Sequence, residues 1–171
     1  MELAGLIRDV PDFPIEGILF KDITTLIRNK DAFREVVDWM TDQYADSSVD
    51  CVVAIEARGY IFGAPLAYKL GAGFVPIRKP GKLPAKIISE SYELEYGTNS
   101  LEIHEDGIDP GQRVLVVDDL LATGGSARAA TNLVNRLGGT IVGVAFLVEL
   151  GFLHGREQLE GYDVLSLIHY P

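Results

Sequence analysis

The chain has 171 residues, enough for one domain that buries its own core without disulfide support. Hydrophobic residues make up 47% and charged residues 23%, an ordinary globular balance, but 15 Lys+Arg stand against 25 Asp+Glu, a formal net charge of −10. That acidity excludes non-specific attraction to nucleic acid or an anionic membrane, and on its face it also argues against a phosphate-rich ligand. The single cysteine, Cys51, excludes an internal disulfide framework and a multi-cysteine zinc site. No run reaches the ~18 apolar residues of a membrane helix. Residues 1–10 lack the apolar stretch of a signal peptide. The expectation is a soluble cytoplasmic protein with neither a membrane nor a nucleic acid as partner.

The first clear element is a helix over 31–44. Phe33, Val36, Val37, Met40 and Tyr44 recur there at helical spacing, with Asp31 as the N-cap. Cys51-Val52-Val53-Ala54-Ile55 is an unbroken apolar run, which suits a strand covered on both faces. The loop Glu56-Ala57-Arg58-Gly59 leads into a helix over 61–70 stopped by Gly71, and 74–77 forms a short strand. Two prolines and a glycine keep Lys79-Pro80-Gly81-Lys82-Leu83-Pro84 irregular. Tyr92, Leu94 and Tyr96 alternate with polar residues, and Leu101 and Ile103 continue the pattern after Gly97, as in a hairpin or ribbon.

Val114-Leu115-Val116-Val117 is the strongest buried-strand run. It ends in Asp118-Asp119 and enters the loop Ala122-Thr123-Gly124-Gly125-Ser126, followed by a helix to 137 and strands over 141–148 and 164–168. Such alternation predicts an α/β fold: a Rossmann-like, mostly parallel sheet with helices on both faces. The whole chain, 1–171, reads as one domain, with about 1–30 and the 92–103 ribbon as additions around it.

Ligands of open α/β sheets bind beyond the carboxyl ends of the strands. A glycine loop opening a helix presents backbone N–H groups to a phosphate. Thr123 and Ser126 add hydroxyls, whereas Asp118 and Asp119 would repel a phosphate and suit sugar hydroxyls or a metal bound to them. The pattern reads as a ribose-phosphate site, against the plainer reading of a capped strand-to-helix turn. Competing motifs fail: Gly81-Lys82 is followed by Leu83 rather than the Ser or Thr of a P-loop, and no dinucleotide fingerprint follows a strand.

The run from Val114 through Asp118-Asp119-Leu120-Leu121-Ala122-Thr123-Gly124-Gly125-Ser126 resembles the phosphoribosyl pyrophosphate motif of the type I phosphoribosyltransferases. Leu120-Leu121-Ala122 is similar to the adenine phosphoribosyltransferase branch of that family. So are Pro11-Asp12-Phe13-Pro14 with Gly17 to Ile23, Glu56 to Gly63, Arg78 to Pro84, and Ser91 to Gly97. The resemblance runs from about residue 7 to 150. Lys21 stands where Arg is common and Ser126 where Thr is common; both keep the charge or the hydroxyl.

The resemblance implies the type I phosphoribosyltransferase fold, with a small N-terminal hood over about 1–30 that binds the base and a flexible loop and ribbon over about 79–103. It implies transfer of a phosphoribosyl group from phosphoribosyl pyrophosphate to adenine, giving AMP and pyrophosphate, with Mg2+ as cofactor and a homodimer as the assembly. On this basis Ala122, Thr123, Gly124, Gly125 and Ser126 hold the 5′-phosphate. Asp118 and Asp119 hold the ribose hydroxyls and, indirectly, the metal. Arg58, Lys79 and Lys82 bind pyrophosphate; a cis peptide is implied before Arg58, at Ala57–Arg58. Arg78 or Lys79 reaches the neighbouring site of a dimer. Phe20 stacks on adenine, and the backbones of Leu19 and Lys21 hydrogen-bond its edge. Glu95 and Arg58 are the catalytic candidates, and Tyr96 closes over the site. Taken as plain sequence, Phe20 fits core packing, Glu95 fits an exposed strand acid, and the basic run fits a solvated turn. Another purine, or a ligand-binding regulator, are the alternatives. His104, His154 and His169 share no spacing and read as structural.

Overall fold

The apolar runs become the strands of one parallel sheet. The computed structural model describes residues 1–94 and 97–171. The chain divides into two units, Met1–Trp39 and Met40–Pro171. The division falls within a helix.

In the N-terminal unit, β1 (Arg8–Pro11) pairs antiparallel with β2 (Leu19–Asp22), placing Val10 opposite Phe20. A single helical turn, α1 (Thr24–Ile27), follows, and the Asp22 carboxylate accepts the Thr24 N–H and hydroxyl at its start. Those bonds, with the Arg8 guanidinium, hold the Asp22 carboxyl at about 2. The long helix α2 (Lys30–Tyr44) begins one residue earlier than the spacing suggests. Asn29 rather than Asp31 caps it: the Asn29 side-chain oxygen accepts the N–H groups of Asp31 and Ala32, both at 3.1 Å.

The C-terminal unit is built on β3 (Cys51–Ile55), α3 (Gly59–Leu70), β4 (Gly73–Ile77), a hairpin of β5 (Ile87–Leu94) and β6 (Gly97–His104), β7 (Arg113–Leu121), α4 (Gly125–Arg136), β8 (Thr140–Leu150) and β9 (Val164–Tyr170). Five of these strands form a parallel sheet in the order β4-β3-β7-β8-β9. All five residues of β3 are buried, as its unbroken apolar run requires. Val53, Val116, Val144 and Phe146 pack on one face with α4 residues Ala130 and Leu133. On the other face α3 comes so close that a Cβ on Gly63 would lie 2.6 Å from the Ala54 methyl. Helices therefore cover both faces. The hairpin starts at Ile87, five residues before the alternation at Tyr92 reveals it, and it pairs in unbroken register from Ile87 opposite His104.

After β3 the chain adds β4 on one side. It then returns to place β7 on the other side of β3 and continues outward to β8 and β9. The strand order thus reverses between β3 and β7, and the loops that leave their carboxyl ends diverge there.

Candidate active site

The loops at this reversal carry the chemistry. β3 ends at Ile55 and delivers Glu56, Ala57 and Arg58; β7 carries Asp118 and Asp119 and delivers the glycine loop. A cleft of 270 Å³ between them is lined by Glu56, Arg58, Lys79, Asp118, Asp119 and Ser126, among others. An adjoining cleft of 190 Å³ runs along Arg58, residues 118–124, Ser126 and Ala127.

The two acids lie within β7, not beyond its end. The strand continues to Leu121, with Asp118 opposite Phe146 and Leu120 opposite Val148. Charge at the end of an apolar run suggests a strand terminus, but these carboxylates have local partners that let the ladder continue. Asp118 Oδ1 accepts the Asp119 N–H at 2.8 Å, and Asp119 Oδ2 accepts Arg58 Nε at 2.5 Å. Burial pushes the Asp118 carboxyl well above its usual range, the charge and side chain of Asp119 push the same way, and the bond from the Asp119 N–H and the Arg58 charge only partly oppose them. Asp119 forms an ion pair with Arg58.

Past Leu121 the chain turns at Gly124, whose φ of +88° is left-handed. A Cβ at Gly124 would lie 2.5 Å from the Gly155 carbonyl oxygen. Helix α4 starts at once, its Arg128 N–H bonding to the Gly124 carbonyl at 2.9 Å. The N–H groups of its first turn, at Gly125, Ser126 and Ala127, have no intrahelical acceptor. They form the positive end of the helix, where an anion is favoured.

The basic segment is arranged differently from its sequence appearance. No acid interrupts 78–86, yet Glu56 and Glu102 meet it in space. The Glu56 carboxylate accepts the Lys82 ammonium at 2.5 Å, the Lys79 backbone N–H at 3.0 Å and the Arg78 guanidinium at 3.3 Å. Glu102 accepts the Gly81 N–H at 3.0 Å. Burial alone would raise the Glu56 carboxyl; the bonds from Lys82, Lys79 and Arg78 outweigh it and hold it at about 2. Glu56 is a site residue that sequence reasoning quoted only as part of a motif. Its signal was position: a carboxylate directly after a fully buried strand. Tyr92, which the alternation and the Ser91–Gly97 motif place in the ribbon, also lines the 270 Å³ cleft.

The non-proline cis peptide is Glu56–Ala57, one residue before the predicted Ala57–Arg58 bond; the motif identifies the loop but not the peptide within it. Leu19, Phe20 and Lys21 lie on β2 of the N-terminal unit, where Phe20 packs edge-on to Phe13 with ring centroids 5.1 Å apart and Lys21 Nζ bonds Asp9 at 2.6 Å. Glu95 and Tyr96 lie outside the described residues. Of the histidines, His104 accepts the Ala85 N–H at 3.3 Å. Among the described residues, no three His, Cys, Asp or Glu side chains gather to hold a metal, and no helix is long and apolar enough to cross a membrane.

Residues 22–166 match the phosphoribosyl transferase domain family. An adenine phosphoribosyltransferase from Alkaliphilus metalliredigens is 61% identical over 170 residues, covering 99% of this chain and 100% of the relative. The crystal structure of adenine phosphoribosyltransferase from Thermoanaerobacter pseudethanolicus superposes with a TM-score of 0.96 at 54% identity, covering 99% of this chain and 98% of that one. The Saccharomyces cerevisiae enzyme of the same name, crystallised with an imino-altritol bisphosphate and adenine, gives a TM-score of 0.91 at 41% identity, with 96% of each chain covered.

Proposed function

The chain belongs to the phosphoribosyl transferase domain family, and from that premise we propose that it converts adenine and 5-phosphoribosyl 1-pyrophosphate to AMP and pyrophosphate in purine salvage. The observation that carries this reading is the meeting of Arg58, Asp118, Asp119 and the Gly124–Ser126 helix start at the strand-order reversal.

The reaction breaks the bond from ribose C1 to pyrophosphate, whose electrons leave with the leaving group, and forms the bond from C1 to adenine N9. Positive charge develops on the ribose ring meanwhile. The protein's task is to hold both reactants in line, stabilise the leaving anion and exclude water. Ala122, Thr123, Gly124, Gly125 and Ser126 take the 5′-phosphate on backbone N–H groups and hydroxyls. Asp118 and Asp119 take the ribose hydroxyls. Arg58, Lys79 and Lys82 take the pyrophosphate, for which Lys82 exchanges Glu56 for a phosphate oxygen.

Two carboxylates beside a phosphate-binding loop suit Mg2+, which keeps several waters and takes substrate oxygens instead of a full protein cage. Bound with pyrophosphate, the ion supplies neutralising charge at the leaving oxygens. In the N-terminal unit Phe20 stacks on adenine, while the backbones of Leu19 and Lys21 read its edge. A purine with an oxo group at position 6 would leave a backbone acceptor unpaired. Glu95 receives the N9 proton or faces the developing charge, and Tyr96 closes the site; these two roles rest on the family resemblance. A cytoplasmic homodimer, with Arg78 or Lys79 reaching the neighbouring site, completes the reading.

Incubating the purified chain with phosphoribosyl pyrophosphate, Mg2+ and each purine in turn tests it. AMP forms from adenine. If adenine is inert while hypoxanthine, guanine or xanthine is consumed, the base assignment fails; if no purine reacts, the transferase reading fails. Glu95→Gln lowers kcat ~10²-fold with little change in either KM.

A further inference from the structure

The glycine loop is backed by a second piece of backbone. The turn Gly155–Leu159 lies against it so closely that a Cβ on Gly124 would meet Gln158 Cβ at 2.9 Å as well as the Gly155 carbonyl. In the opposite direction, a Cβ on Gly155 would collide with the Ala122 carbonyl oxygen. Neither glycine has a side chain that could cushion the contact, so a shift of the turn passes directly to the loop.

One end of this turn is fixed by Leu159, which is buried in the apolar core. The other end is fixed by Arg156. Its Nε donates to Glu149 Oε1 at 2.7 Å and its Nη2 to Glu149 Oε2 at 2.8 Å, while its Nη1 donates to the Val164 carbonyl at 2.9 Å. The Ser166 hydroxyl donates to Glu149 Oε2 at 2.5 Å. One side chain thus ties the turn to β8 and β9 together. Glu149 is only 4% exposed, where a carboxylate needs partners of this kind. The arrangement needs a planar fork, which lysine does not offer. None of these groups touches the cleft that holds Arg58 and the acids.

We infer that Arg156, held by Glu149 and Ser166, is a positioning residue for the 5′-phosphate loop: it fixes the turn on which Gly124 rests and so sets affinity for the phosphoribosyl donor. The inference rests on the reading that residues 122–126 bind that phosphate. A residue that merely supported the fold would lower thermal stability and the yield of active protein while leaving the donor KM alone.

Full-length Arg156→Lys, Arg156→Ala and Glu149→Gln are compared with the parent chain for kcat, both KM values, the Kd of ribose 5-phosphate and Tm. In Arg156→Lys the donor KM and the ribose 5-phosphate Kd rise together by about tenfold to a hundredfold. The adenine KM and kcat stay within roughly twofold. Glu149→Gln moves the same two quantities by less, because the Val164 bond survives. Should Arg156→Ala fail to fold, the lysine variant carries the test. A parental donor KM in soluble Arg156→Lys, or a parallel fall of kcat, affinity for both substrates and Tm, overturns the inference. A parent chain that does not bind ribose 5-phosphate removes the phosphate-loop reading, and the inference with it.

Discussion

Residues 118–126 and residues 78–86 border one cleft but hold their polar groups in opposite ways. The first segment is built from a buried strand end, a left-handed glycine and a helix start. Its donors are backbone N–H groups whose directions follow from the fold. The second is an irregular loop whose donors, the side chains of Lys82 and Arg78 and the backbone N–H of Lys79, gather around one carboxylate, Glu56. The first is ready for an anion with little rearrangement. The second already holds an anion of the protein's own and must exchange it. The formal charge of −10 describes neither segment, because backbone donors are not counted in it and the acids lie elsewhere or are paired.

The contrast can be broken most sharply at Gly124. Gly124→Ala puts a methyl into the Gly155 carbonyl at a left-handed φ, and steady-state kinetics should show kcat/KM for the donor falling by roughly a hundredfold or more. Next comes Asp118→Asn. Turnover falls, yet the ligand-free protein should melt at a higher temperature than the parent at pH 7. The sign follows from the raised carboxyl: the folded state binds the proton more tightly than the unfolded state. The stability contribution is therefore full below the unfolded value of ~3.9 and is lost as pH rises through the folded value. Melting curves at pH 4 and pH 7 test this, and a variant less stable than the parent at pH 7 refutes the account of a strained carboxylate.

The basic loop should respond more mildly. Lys82→Ala lowers donor kcat/KM by about tenfold and lowers Tm only modestly at neutral pH, since the lysine is 44% exposed while Arg78 and the Lys79 N–H still hold Glu56. The Glu56 carboxyl should rise from about 2 toward its ordinary range, as carboxyl NMR would record. In the parent the Glu56 contribution to stability is present above ~4.3 and is lost as pH falls toward about 2; the variant shows a shallower acid dependence. The smallest effect belongs to Lys79→Ala. The backbone N–H of Lys79, not its ammonium, reaches Glu56, so the donor KM should shift by less than about threefold. A larger loss there than at Gly124 would invert the comparison.

Much of the fold was legible because burial leaves a local trace. The five apolar residues of β3 announced a doubly covered strand, and Gly71 and Gly138 marked helix ends. What stayed hidden depends on partners far along the chain. Asp118 and Asp119 read as a strand's end until the β8 ladder and the Arg58 guanidinium are in view. Asn29 outcompeted Asp31 as the cap of α2 because both precede the apolar stripe and only geometry decides between them. Glu56 and Arg156 act on segments remote in sequence, and neither type in isolation signals more than surface charge. The glycine loop, by contrast, concentrates its chemistry in consecutive residues, and it was the most readable part of the site.

The position of β7 also bears on how the protein assembles. This central strand enters the chain late, and Cys51 of β3 meets Val114 of β7 only after about sixty intervening residues have been gathered in. As the chain leaves the ribosome, β3 and β4 can pair, but one edge of β3 stays open until β7 emerges. Parallel pairing across such a span is slow compared with local contacts. The acids and the glycine loop sit at the far end of that same strand. Competence to bind ligand and covering of the open edge of β3 therefore arrive in one step, and the appearance of binding during refolding should time the docking of β7.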